Sequence, residues 1–234
     1  MIRAFWWTGR PNFGDALAPL LLERFAGVDV TWSPPELAEV AVIGSIATML
    51  PRQFTGTVLG IGVARDVPID FSQATVRALR GPLTARAAGA SDVALGDPGL
   101  LAPLLLEQRP PVRYALGVVP HWQDHALAGR HRGARVIDVA APPLDVVRAI
   151  ASCRRIVSSS LHGLIVADAL GIPRRWETFP RVQGGGFKFA DYGASLGRPI
   201  VAGRWDEADP SAVVRLTAGL IEAFDGYRAE RAAA

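Results

Sequence analysis

One cysteine, Cys153, stands in a chain of 234 residues. An intrachain disulfide and a cysteine-rich zinc site are both excluded. Lysine is as scarce: Lys188 stands alone, arginine supplies nearly all the positive charge, and the net charge is only +3. The planar arginine fork suits carboxylate and phosphate, so a small polyanionic ligand fits this composition. Nucleic acid is not an expected partner, because no recognition motif accompanies the charge. Long apolar runs are also missing, although 50% of the residues are hydrophobic. The stretches at residues 40–50 and 161–170 fall far short of the ~20 needed to cross a bilayer. The first residues lack the apolar region and small-residue cleavage site of a signal peptide, so a cytoplasmic location is expected. Diagnostic metal-ligand spacing, a Gly-x-Ser-x-Gly elbow and a Walker loop are absent, and Gly60-Ile61-Gly62 lacks the third glycine of a dinucleotide fingerprint. No metal and no cofactor is expected.

What the chain does have is an alternation of strand-like runs, turns and helix-like segments. Strands are predicted over residues 2–7, 28–32, 40–43, 57–63, within 72–80 and at 92–95, with helices over 16–25 and 82–88. Pro19 is expected in the first turn of its helix, which would then begin close to Asp15. Gln108-Arg109-Pro110-Pro111 interrupts the pattern. A second series follows, with strands over 114–119, 135–139, 155–157 and 174–178 and helices over 144–153, 161–170, 188–196 and 211–232. Such alternation implies parallel sheets with helices on both faces. The expected class is α/β, with two Rossmann-like halves at residues 1–109 and 110–234, the second carrying the C-terminal helix. Ligands in such sheets bind beyond the carboxyl ends of strands, so the loops there are where chemistry is to be sought.

Four of these loops carry suitable residues. Asn12-Phe13-Gly14-Asp15 follows the first strand. Gly14 permits a tight turn, and Asp15 either caps the next helix or faces the cleft, where it can hold a sugar hydroxyl or an arginine. Ser158-Ser159-Ser160-Leu161-His162-Gly163 joins a strand to an apolar helix. Its serines can cap that helix, or its free N–H groups can receive a phosphate or carboxylate. The positive helix end should keep His162 neutral until an anion binds. Arg80, ahead of Gly81-Pro82, is expected at a strand end facing the cleft. Pro120-His121-Trp122-Gln123-Asp124 combines a titratable ring with a stacking aromatic, a mixture suited to sugar recognition or proton transfer. Gly184-Gly185-Gly186 before Lys188 reads as a flexible loop or lid. Residues 130–135 form a basic loop that is either solvated or turned to an anionic membrane surface or a diphosphate.

Together, Asn12-Phe13-Gly14-Asp15, Arg80-Gly81-Pro82, Leu95-Gly96-Asp97-Pro98, Pro120-His121 and residues 158–173 resemble the polysaccharide pyruvyltransferase family in order and spacing, over about residues 2–197. The resemblance implies an architecture like the two-domain GT-B glycosyltransferases. It implies phosphoenolpyruvate as donor and a glycan or lipid-linked oligosaccharide as acceptor, worked on at the inner face of a membrane. His162, His121 and Asp15 are then the catalytic candidates. Asn12, Gly14, Arg80, Ser159, Ser160, Gly163 and Lys188 are the substrate-binding ones. Where the family usually has Arg-Leu-His-Gly, this chain has Ser160-Leu161-His162-Gly163. Either Arg80, Arg154, Arg155 or Arg174 replaces the missing guanidinium, or the donor differs. Two other readings fit the same features: a GT-B-like glycosyltransferase using a nucleotide sugar, and a catalytically silent carbohydrate-binding subunit.

Overall fold

The structure, a computed structural model, describes residues 1–124, 126–179 and 183–233. Six parallel strands form the first sheet: β1 (Ile2–Phe5), β2 (Val30–Trp32), β3 (Val40–Val42), β4 (Thr57–Ile61), β5 (Thr75–Leu79) and β6 (Ala94–Leu95). Their order is β2-β1-β3-β4-β5-β6. The second sheet holds β7 (Gly117–Val119), β8 (Arg135–Val136), β9 (Ile156–Ser158), β10 (Arg174–Trp176) and β11 (Trp205–Asp206), in the order β11-β10-β9-β7-β8. Only β11 runs antiparallel to its neighbour. Every residue of β3 and β4 is buried, as expected of central strands covered on both faces. The α/β class and its two Rossmann-like halves are therefore present.

The helices are α1 (Phe13–Leu21), α2 (Pro82–Ala87), α3 (Leu127–Arg130), α4 (Pro143–Ala151), α5 (Leu161–Ala169), α6 (Phe187–Ser195) and α7 (Pro210–Ala233). The expectation for Pro19 is corrected here. Helix α1 starts at Phe13, because Asn12 caps it by accepting a hydrogen bond from the Gly14 N–H. Pro19 then lies inside the helix, where it removes a backbone donor. A π-turn over Leu22–Ala26 follows directly. A second element hidden behind a turn signal is the 3-10 stretch Pro98–Leu105, capped by Asp97 and packed on α1 and α5.

Helix α7 returns to the first sheet and packs against β4, β5 and β6. The main hydrophobic core joins the two halves: Leu17, Val42 and Leu59 share it with Val119, Ile150 and Leu164, and with Leu216, Leu220 and Phe224 of α7. Burying each such side chain is worth about 1.5–3 kcal/mol, so the shared core fixes the carboxyl ends of the two sheets against each other. Among the described residues, no helix is long and apolar enough to cross a membrane.

Candidate active site

Between those carboxyl ends lies a cavity of about 140 Å³. Trp7, Asn12 and Asp15 reach it from the end of β1 and the start of α1, and Ser45, Ile46 and Met49 from the turn after β3. His121 and Trp122 come from the loop after β7, Ser160, Leu161 and His162 from the start of α5, and Lys188 from α6. Of the residues expected to act, Asn12, Asp15, His121, Ser160, His162 and Lys188 are brought together.

Asn12 does the capping, which frees Asp15 from that role. The Asn12 amide donates to Asp15 Oδ2 at 2.5 Å. Burial pushes the Asp15 carboxyl up to about 7, helped by the nearby Asp97 charge and opposed by Lys188 and the Asn12 hydrogen bond. Asp15 is therefore poised between its two protonation states near neutral pH. The chain bends around it: Ile43 and Gly44 both have left-handed φ values, 61° and 96°, and a Cβ on Gly44 would overlap Asp15 Oδ1. A buried β-branched residue with positive φ is strained. That turn delivers Ser45 to the cavity, a lining residue the sequence reading missed; its available signal was a Gly-Ser pair directly after a strand.

His162 enters from the first turn of α5. Burial holds its imidazole down to about 3, with the charges of Lys188 and Arg80 and the nearby His121 acting in the same direction. The expected neutral form is found, with burial as the leading cause. His121 is also neutral, lowered to about 4 by burial and then by Lys188. Its Nδ1 accepts from the Gln123 N–H, and its ring stacks on Phe179 with centroids 5.1 Å apart. Half-buried Lys188 is lowered to about 8 by burial and Arg80, against a raising influence from Asp15. Trp7 and Trp122 stack across the junction of the halves, centroids 5.9 Å apart.

Three expected binding residues stand behind the wall. Ser159 is fully buried and its Oγ accepts from the His121 N–H, tying the loops after β7 and β9 together. A Cβ on Gly163 would overlap Ser158 Oγ and reach Val119, so this glycine serves close helix–strand packing. Gly14 is pressed against the ring of His162.

Arg80 departs most from expectation. It is fully buried, and its fork is already occupied: Nε donates to Asp191 Oδ2 at 2.9 Å, Nη1 to Ser45 Oγ at 2.7 Å, and Nη2 to the Val63 carbonyl at 2.5 Å. Asp191 also accepts from the Leu83 and Thr84 N–H groups and the Thr84 hydroxyl. Arg80 thus locks α6, and with it Lys188, to the first sheet. The other three candidates do not line the cavity either. Arg174 is buried in ion pairs with Asp168 and Asp206, while Arg155 covers Trp205 beside a separate cavity. Arg154 is exposed. Among the described residues, Lys188 is the one Lys or Arg side chain on the cavity wall.

The family model for polysaccharide pyruvyl transferase matches residues 70–176. The succinoglycan biosynthesis protein ExoV of Rhizobium meliloti (strain 1021) is 31% identical over 206 residues, which are 82% of this chain and 64% of that protein. The uncharacterized protein L143 of Acanthamoeba polyphaga mimivirus is 36% identical over 113 residues, 44% of this chain and 39% of that protein. The chain spans less than two thirds of the length of either relative. The matched stretch carries Arg80, Asp97, His121 and His162, while Asp15 and Lys188 reach the same cavity from outside it. Over residues 70–176, this chain is thus similar to the polysaccharide pyruvyl transferase family.

Proposed function

We propose that this chain moves the enolpyruvyl unit of phosphoenolpyruvate onto two hydroxyls of one sugar in a glycan, forming a cyclic pyruvate ketal and releasing phosphate. The observation that carries this reading is the convergence of Asp15, His162 and Lys188 on one small cavity at the start of α5. The family match supports it, as does the relative named for succinoglycan biosynthesis. The cavity, about 140 Å³, is well below the ~300–1,000 Å³ of sites for drug-sized ligands. That size suits a three-carbon donor, with the acceptor entering from the mouth, better than it suits a nucleotide sugar. A lipid-linked acceptor would place the reaction at the cytoplasmic face of a membrane.

The reaction needs a proton on C3 of the donor, which develops positive charge at C2. One sugar hydroxyl then bonds to C2 and gives up its proton. The C2–O bond to phosphate breaks, and a second hydroxyl closes the ring as its proton leaves with the phosphate. Lys188 and the free N–H groups of α5 are placed to hold the donor's negative charge. That charge would raise the pKa values of both His162 and Asp15, making each a better proton holder. His162 is assigned the transfer to C3 and Asp15 the hydroxyl proton. His121, held neutral, and Trp122 with Trp7 offer the sugar a stacking face.

The deciding experiment incubates the protein with phosphoenolpyruvate and candidate glycans. Phosphate release, with a glycan mass gain equal to pyruvate less one water, is the expected result. Among the described residues no arginine lines the cavity, which favours one alternative, a silent carbohydrate-binding subunit. Glycan binding with neither phosphate release nor mass gain would establish that alternative instead.

A further inference from the structure

Among the described residues, two buried polar atoms without partners belong to neighbouring side chains behind the cavity. They are Nε2 of His162 and a carboxylate oxygen, Oδ2, of Asp97. His162 Nε2 lies 3.8 Å from the other oxygen, Asp97 Oδ1. This is too long for a hydrogen bond but within one small side-chain adjustment of one. Asp97 is fully buried and its position is fixed. Oδ1 accepts from the Gly99 N–H at 2.9 Å, capping the 3-10 stretch that packs on α5. Gly99 seats both side chains: a Cβ there would come 3.1 Å from Asp97 Oδ1 and 3.6 Å from His162 Cδ2. The other ring nitrogen, Nδ1, lies over Gly14 at the start of α1. Buried orphan groups are rare, and two of them on neighbouring side chains call for a reason.

We propose that Asp97 is the positioning residue of His162: its carboxylate keeps the imidazole proton on Nε2 and leaves Nδ1 as the nitrogen that exchanges protons with the substrate. The chemistry needs such a device. A neutral imidazole has two tautomers, and only one presents a lone pair to the cavity. When Nδ1 takes a proton, the ring becomes an imidazolium with Nε2–H aimed at Asp97, and the 3.8 Å gap can close to a charge-assisted hydrogen bond. Asp97 thereby favours the protonated ring without touching substrate. The charge balance around the pair is mixed. Arg80, Lys188 and His121 oppose a positive ring, and among the described residues Asp97 is the carboxylate within ion-pair range of it. The catalytic consequence rests on the proposed pyruvyl transfer, whereas the tautomer does not.

The test is nitrogen-15 NMR of the histidine-labelled 234-residue chain at about pH 8, above the Asp97 pKa of about 6. The His162→Asn variant identifies the resonances. The wild-type protein is expected to show the Nε2–H tautomer without any substrate. Asp97→Asn keeps an oxygen for the Gly99 N–H but lets its amide donate to Nε2, so the ring should switch to the Nδ1–H tautomer. In the same variant kcat should fall by roughly 10²- to 10⁴-fold, the range of acid–base assistance, with KM for phosphoenolpyruvate little changed. An Nδ1–H ring in the wild-type protein overturns the proposal, and this reading needs no variant to fold. An unaltered tautomer and turnover in Asp97→Asn overturns it as well. The expected tautomers in a protein that transfers no pyruvyl group would uphold the Asp97–His162 pairing and reject the reaction.

Discussion

Gly14 of α1 and His162 of α5 are in such close contact that a Cβ at residue 14 would overlap the imidazole ring. Glycine is needed here for space, since its φ is not in the left-handed region. Alanine is the better helix former by about 0.5–1 kcal/mol. Gly14→Ala therefore sets a small helix gain against displacement of the ring. A 1 Å misplacement of a reacting group can cost about 10²-fold in rate. We expect turnover to fall by at least about tenfold while the far-ultraviolet circular dichroism spectrum stays native. Full turnover in this variant would show that the ring position is unimportant.

Arg80→Lys should act on folding before it acts on substrate. Lysine keeps the charge but cannot serve Asp191, Ser45 and the Val63 carbonyl together. Breaking a buried, hydrogen-bonded pair typically costs about 3–5 kcal/mol, and a surviving ammonium–Asp191 contact would recover part of this. Urea unfolding should show a loss of about 2 kcal/mol or more. A raised KM for the donor at unchanged stability would return Arg80 to the site.

The fate of Arg80 illustrates what the sequence could convey. The alternation of apolar runs and turn residues made the parallel strands of both sheets legible, since strands such as β3 and β4 carry their burial in every residue, while the short antiparallel β11 was not foreseen. The loops after β1, β7 and β9 were legible for the same reason: they follow strands and hold polar groups. Lost were pairings across long separations. Asp191 lies 111 residues from Arg80, and nothing local to either announces the pair. Capping was half legible. Asp15 was the capping candidate, and the interior Pro19 drew the expected helix start towards it, whereas Asn12 is the cap. The strand predicted over residues 2–7 ends early because Trp6 and Trp7 leave the sheet. The Trp6 carbonyl accepts from the Trp32 ring, and Trp7 stacks on Trp122.

Asp15→Asn should stabilise the protein and silence it. In the folded state this carboxyl is raised from 3.8 to about 7. The folded state therefore holds more protons than the unfolded state between those values, and stability drops as pH rises through them. A shift of this size is worth up to about 4 kcal/mol, and relaxation of the site reduces it. Asparagine mimics the protonated form. At pH 8 the variant should unfold about 1–3 kcal/mol later than wild type, an advantage that vanishes near pH 4. Turnover should fall by about 10²-fold or more. Equal stability at both pH values would refute the burden placed on this carboxyl.

Lys188 should set an alkaline limit on donor capture. Its folded pKa is lowered to about 8 from 10.5, so the free protein loses this charge as pH rises through 8. The kcat/KM for phosphoenolpyruvate should decline over the same interval, because that ratio reports groups of the free enzyme. Lys188→Met should remove the decline. It should also cost the ~1.5–3 kcal/mol of a charged hydrogen bond, raising the donor Kd by roughly 10- to 100-fold. Isothermal titration with phosphoenolpyruvate measures this directly, and an unchanged Kd would exclude the contact.

His162→Asn separates chemistry from folding. Asparagine keeps a polar side chain of similar reach but cannot move a proton at neutral pH. If His162 carries the proton to C3, turnover at saturating donor should fall by roughly 10²- to 10⁴-fold. Donor affinity should change little, because Lys188 and the N–H groups of α5 remain. If His162 only binds the anion, the pattern reverses, with affinity lost and turnover at saturation kept. Stability offers an independent check with a definite sign. His162 is lowered from 6.5 to about 3 in the folded state. The unfolded chain therefore binds more protons between these values, and the wild-type protein loses stability as pH falls from 6.5 towards 3. That loss is complete only near pH 3 and absent above 6.5. His162→Asn has no such group to neutralise. Its unfolding free energy should decline less steeply over that interval and match wild type within about 1 kcal/mol at neutral pH. A variant that turns over normally removes His162 from the reaction, and one that unfolds at neutral pH reduces it to a packing residue.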